Sequence, residues 1–226
     1  MRIDPTLVAL AVLIALFPIT IAAATYAMVN KMSSSPGIVA APECAYEINS
    51  SVDPMLATFL QAQGFRLANT YRFHTIRFGD WMQPSPSPPL RRLVIALSRS
   101  GTNCEFITEF SDKYSLTTTR TRAAFVFPRP WGSFMQAFPK ATIEQLWDQH
   151  VRGEQYLMSD LSVPVAKLSL PFIESFAPGV QRQMRCIKSL PLWPVRGVYW
   201  FALKRFLMHN RPIWTQNVRK LYPVIP

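Results

Sequence analysis

The sequence predicts an α+β protein. It has an N-terminal transmembrane helix, an antiparallel sheet of four or five strands with flanking helices, and a basic, aromatic, helical C-terminal region. Three observations carry this reading. The run TLVALAVLIALFPITIAAATYAMV, residues 6–29, holds no charged side chain. Short alternating apolar runs follow between Leu93 and Thr119, separated by turn residues. After Glu174 there is no Asp or Glu, against nine Lys and Arg.

The uncharged run exceeds the roughly 20 residues that a helix needs to cross a bilayer core. It also exceeds the apolar stretch of a cleaved signal, so residues 1–31 are expected to be a retained, single-pass membrane anchor. Pro18 predicts a kink that neighbouring groups would have to satisfy. Arg2 on one side and Lys31 on the other leave the side of the remaining chain open, with a slight balance towards export. Residues 32–52, small and containing Ser and Pro, then read as a linker.

An α+β domain is expected over residues 53–160. Asp53 at the N-cap, Pro54 at the first position and Gly64 as a stop predict a helix from Pro54 to Gln63. Its apolar stripe is Met55, Leu56, Phe59 and Leu60. Residues 65–78, rich in aromatic and β-branched types, predict one strand, followed by the proline-rich loop 79–89. Leu93, Ile95 and Leu97 alternate with Arg92, Val94 and Ala96; Phe106 and Phe110 alternate with Glu105 and Glu109. Turns at 100–103 and 111–113, a strand opening with Tyr114 and Leu116, and a further strand over 122–127 complete an antiparallel meander. One of its faces is expected to be packed and the other wet. Residues 128–139 read as a loop. Thr142 with Gln145 forms a capping box for a helix to about Met158, whose face carries Ile143, Leu146, Trp147, His150 and Leu157.

Residues 161–226 form the basic aromatic region. Helix is predicted after Pro171, broken at Pro178-Gly179 and resuming over 181–188. The stretch 190–208 is strongly apolar yet holds Arg196, Lys204 and Arg205, too costly for a lipid-facing core.

The residues Glu109, Phe110, Asp112, Leu116, Thr117 and Thr118, followed by Leu146 and His150 on a helix, resemble a domain of uncharacterised bacterial membrane-anchored proteins. The resemblance covers less than half the chain and implies no activity.

Two regions could carry chemistry. His150 and Glu154, four apart on a helix, could form an acid–base pair, with His74 approaching across the sheet. The competing reading is a hydrogen-bonded core histidine beside Leu146 and Trp147. The basic quarter could place Arg196, Lys204, Arg205, Trp193, Trp200 and Trp214 on an anionic membrane surface; the competing and preferred reading is a helical cap packed on the sheet, because residues 195–209 are apolar on nearly all sides. No metal-ligand spacing, phosphate loop or dinucleotide fingerprint is present, so no metal and no cofactor are expected. Cys44, Cys104 and Cys186 cannot all pair; Cys44–Cys104 is one bridge open to an exported domain, and three buried thiols are the other reading. The functional expectation is a membrane-anchored, non-enzymatic interaction or structural protein, with a membrane-tethered hydrolase using the His150 region as the alternative. Its expected partners are a lipid bilayer, anionic headgroups, and a protein partner or second copy; nucleic acid is disfavoured.

Overall fold

The computed structural model describes residues 5–34, 37–73, 75–84, 89–98, 101–166 and 171–222, with side chains from Leu16 onward in the first helix. Its frame is a seven-stranded sheet in sequence order: β1 (Ile38–Ala40), β2 (Arg66–Phe73), β3 (Ile76–Gln83), β4 (Leu90–Ser98), β5 (Gly101–Glu109), β6 (Ser115–Thr119) and β7 (Ser133–Ala137). Neighbours are antiparallel except β6 and β7, which run parallel. A parallel pair needs a crossover, and residues 120–132 provide it. Gly132 closes that crossover at φ +91°, where a Cβ would lie 2.3 Å from the Lys113 carbonyl oxygen.

Side chains alternate between the two faces of a strand, and helices cover both faces. On one lie α2 (Ala45–Ser50), α3 (Pro54–Ala62) and α4 (Ile143–Ser159). Ile48, Phe59, Leu60 and Leu146 from these helices pack with Leu93, Ile95 and Phe106 of the sheet. The Asp53 carboxylate accepts from Leu56 N–H at 2.8 Å, and the Thr142–Gln145 capping box opens α4. On the other face α5 (Phe172–Ser189) sets Phe172 against Tyr71 and Val94. Its far side packs Val180, Met184 and Ile187 on Val29 of α1 (Pro5–Ser34).

Beyond α5 the chain forms one helical rod: α6 (Trp193–Tyr199), a π-helical turn (Trp200–Lys204) and α7 (Arg205–Met208). It then returns along the outer edge of β7. Asn210 N–H donates to the Ala137 carbonyl at 2.7 Å, and Gln216 Nε2 to the Met135 carbonyl at 3.1 Å. The Tyr222 hydroxyl, just after α8 (Val218–Leu221), accepts from Met135 N–H at 3.0 Å. The exposed donors and acceptors of that edge strand are thereby used up.

Several expectations are corrected. Among the described residues no helix is long and apolar enough to cross a membrane. This overturns the single-pass membrane anchor and the membrane localisation, with its balance towards export, that were built on it. An apolar run marks a helix with an apolar face to cover, and protein can cover part of it as well as lipid. Here Thr25 and Val29 of α1 are buried against α5 and α6. The sheet has seven strands and is mixed, not four or five antiparallel ones. Residues 65–78 hold parts of two strands, because β2 ends at Phe73 and β3 begins at Ile76. The stretch 128–139 contains β7, and 122–127 is turns rather than a strand, with Phe125 at φ 62°. The face expected to be wet is covered by α5. Residues 32–52 carry β1 and α2, and α5 runs unbroken through Pro178. Cys44, Cys104 and Cys186 are free, buried thiols; burial pushes Cys104 and Cys186 up to about 11.

Candidate functional site

The i,i+4 spacing brings His150 and Glu154 together: Nε2 lies 3.4 Å from Glu154 Oε1. Both are buried, and both are enclosed by a hydrogen-bonded chain. Arg91, on β4, clamps Glu154 with Nε at 2.9 and 3.0 Å and Nη2 at 2.9 Å. The Thr108 hydroxyl, on β5, donates to Glu154 Oε1 and stands 2.8 Å from His150 Nε2. The Thr118 hydroxyl, on β6, stands 2.7 Å from His150 Nδ1 and accepts from Gln136 Nε2 at 2.9 Å.

Thr108 spends its hydrogen on the carboxylate, so it accepts from His150 Nε2–H. His150 Nδ1 faces the Thr118 hydroxyl, whose oxygen also receives Gln136. Both ring nitrogens are therefore engaged. Phe106 and Trp147 flank the imidazole at centroid distances of 5.6 and 5.9 Å. Burial alone would raise the Glu154 carboxyl, but His150, Arg91 and Thr108 together hold it down at about 2. A ring satisfied on both sides and walled by aromatics has no position for a substrate or an attacking water. His74 lies outside the described residues. Among the described residues no group of three or more His, Cys, Asp or Glu could hold a metal ion.

The six surface candidates fare differently. Arg196 is exposed. Trp193 is half-buried and stacks on Tyr26 of α1, centroids 5.6 Å apart and planes at 9°. Trp200 packs on the cluster of Ala124, Phe125 and Met208. Trp214 belongs to the separate cluster of Phe134 and Leu157, beneath the Arg152 guanidinium at 4.8 Å. Arg205 lies over Phe201 and Phe206 at 4.1 and 4.5 Å. Burial, then the charges of Arg211 and Lys220, lower the Lys204 ammonium. The tryptophans are thus used mainly for packing.

The exposed apolar surface comes from other residues. Leu16, Phe17, Ile19, Tyr26 and Met28 on α1 are exposed, as are Leu192, Val195, Tyr199, Leu203, Phe206 and Leu207 along the rod. They make up eleven of the fifteen exposed large apolar side chains among the described residues, so the exposure is concentrated rather than scattered. Which of the rod's residues face out depends on how α6 docks on α1.

That docking rests on Gly197. A Cβ there would come within 2.6 Å of Thr25 Cγ2. Gly197→Leu should therefore detach the rod from α1, with a loss of about 1–3 kcal/mol from overpacking. The measurable signs are a lower melting temperature and freer Trp193 fluorescence. An unchanged melt and spectrum would refute the close approach.

No protein family, curated protein or solved structure matches the chain.

Proposed function

We propose that the protein is a non-enzymatic interaction protein that lays the paired α1 and α6–α7 surface against an anionic bilayer surface, resting on it rather than crossing it. The observation that carries this is the concentration of exposed apolar side chains on these two adjoining segments. Contiguous apolar surface of this kind marks interaction sites. Charge selects the partner: Lys31 and Arg196 are exposed on the same two segments, and no acid follows Glu174. Each Lys or Arg near an anionic leaflet contributes about 1 kcal/mol. Tyr199, Leu203 and Phe206 supply an apolar part that salt does not screen. The buried, fully bonded His150 ring supports an interaction role over a hydrolase.

Flotation of the full chain with vesicles tests this. It should float with vesicles containing phosphatidylserine, float less with neutral ones, and be partly released by high salt. Arg196→Glu should lower the anionic preference, while Val195→Asp with Leu203→Asp should lower binding to both. Equal recovery with neutral and anionic vesicles, or self-association in light scattering without flotation, would reject the reading.

A further inference from the structure

The face of the sheet away from His150 carries a second feature. Between β5, β6 and α5 lies a cleft of about 400 Å³. One wall is acidic, because Glu105 and Glu109 project from alternate positions of β5. The facing wall is basic: Arg182 and Arg185 come from α5, and Arg129 from the crossover before β7. Phe172 and Phe176 supply an apolar end.

These charges act on one another across the space, Glu105 on Arg129 and Asp112 on Arg182, without a direct charge-to-charge contact. Among the described residues no ion pair joins any of the three arginines to any acid lining the cleft. Glu109 is paired from behind, by Arg92. Glu105 takes hydrogen bonds from Asn103 and Thr119 on Oε1, and no described residue bonds its Oε2. Arg182 donates through Nη2 to Ser133 Oγ at 3.0 Å and through Nη1 to the Asp112 carbonyl at 3.5 Å, but its Nε is buried with no hydrogen-bond partner among the described residues. An unpaired buried donor costs about 1–3 kcal/mol. Arg129 makes no hydrogen bond to any described residue, and burial lowers its pKa. Opposed charges held apart around an enclosed space leave that cost in place until something bridges them.

We propose that this cleft binds a small zwitterion, with its carboxylate on Arg182 and Arg129 and its ammonium on Glu105. The volume falls in the usual range for small-ligand sites and suits a molecule of about tripeptide size. The cleft takes no lining residue from α1 or the rod: its walls come from β5, β6, the turn between them, the crossover, Ser133 of β7 and α5 as far as Arg185.

Calorimetric titration of the full chain with three related probes tests the assignment: trialanine, N-acetyl-trialanine and trialanine amide. Trialanine should bind about tenfold more tightly than either blocked form, which is one lost ionic contact. Arg182→Gln should weaken trialanine and the N-acetyl form while leaving the amide unchanged. Glu105→Gln should weaken trialanine and the amide while leaving the N-acetyl form unchanged. A thermal melt of each variant verifies folding; if one fails to fold, the other variant and the three-probe comparison decide. Equal affinity for all three probes, no heat with any, or binding of inorganic phosphate in preference to trialanine would overturn the proposal.

Discussion

Arg92→Met should lower the unfolding free energy by about 3–5 kcal/mol, a large part of the roughly 5–15 kcal/mol a domain has. Arg92 is fully buried and serves two acids: Nη1 donates to Asp80 Oδ2 at 2.7 Å, and Nε to Glu109 Oε2 at 3.1 Å. Removing it strands both carboxyl groups in low dielectric. Burial already pushes Asp80 up to about 6, against the pull of Arg92, and its Oδ1 has no partner. Asp80 can therefore take up a proton when unpaired, so the loss should be smaller at pH 5 than at pH 8. The same shift has a sign in the native protein. The folded state holds the Asp80 proton more tightly than the unfolded chain, so this group lowers stability as pH rises from about 4 to about 6. Urea titration, read as a change in midpoint at constant slope, measures both effects. A loss under about 1 kcal/mol at pH 8 would show that the triad is not charged.

Glu154→Gln should cost about 3 kcal/mol at pH 7 and little at pH 2. The Glu154 carboxyl is held at about 2, below its ordinary value of 4.5. Its stabilisation is therefore fully present above the unfolded value and is lost as pH falls from about 4.5 towards 2. The native protein should lose stability over that window, and the Gln variant should lose much less. Parallel pH profiles for the two would refute the Arg91–Glu154 clamp. His150 offers a second readout, since its Nε2–H bond to Thr108 should shift in nitrogen NMR when Glu154 is replaced.

The adjacent arginines explain what was legible in the sequence and what was not. Helices with local start signals were readable, because a cap is made within four residues: Asp53 and Thr142 hold α3 and α4 where their side chains place them. The alternation through β4 and β5 was readable for the same reason. What the alternation could not say was what covers each face. Arg91 and Arg92 point to opposite faces, and both meet buried acids, one from α4 and the others from β3 and β5. Charged residues on a strand look like a wet face until their partners, 63 residues away for Arg91, are known. β7 was hidden because SFMQA is buried at every position and shows no alternation. The candidate pair His150 and Glu154 was visible from its helical spacing, but the two threonines that use up the ring come from other strands.

The sealing of β7 also governs when the protein can be made safely. Tyr222, which occupies Met135 N–H, follows it by 87 residues. During synthesis the strand emerges long before its cover. For that interval a growing chain presents an open sheet edge to its neighbours on the same messenger, the geometry from which intermolecular strand pairing starts. Removing residues 209–222 would make the interval permanent. Such a chain is expected to engage chaperones and to accumulate in inclusion bodies, although nearly all of its sheet is intact.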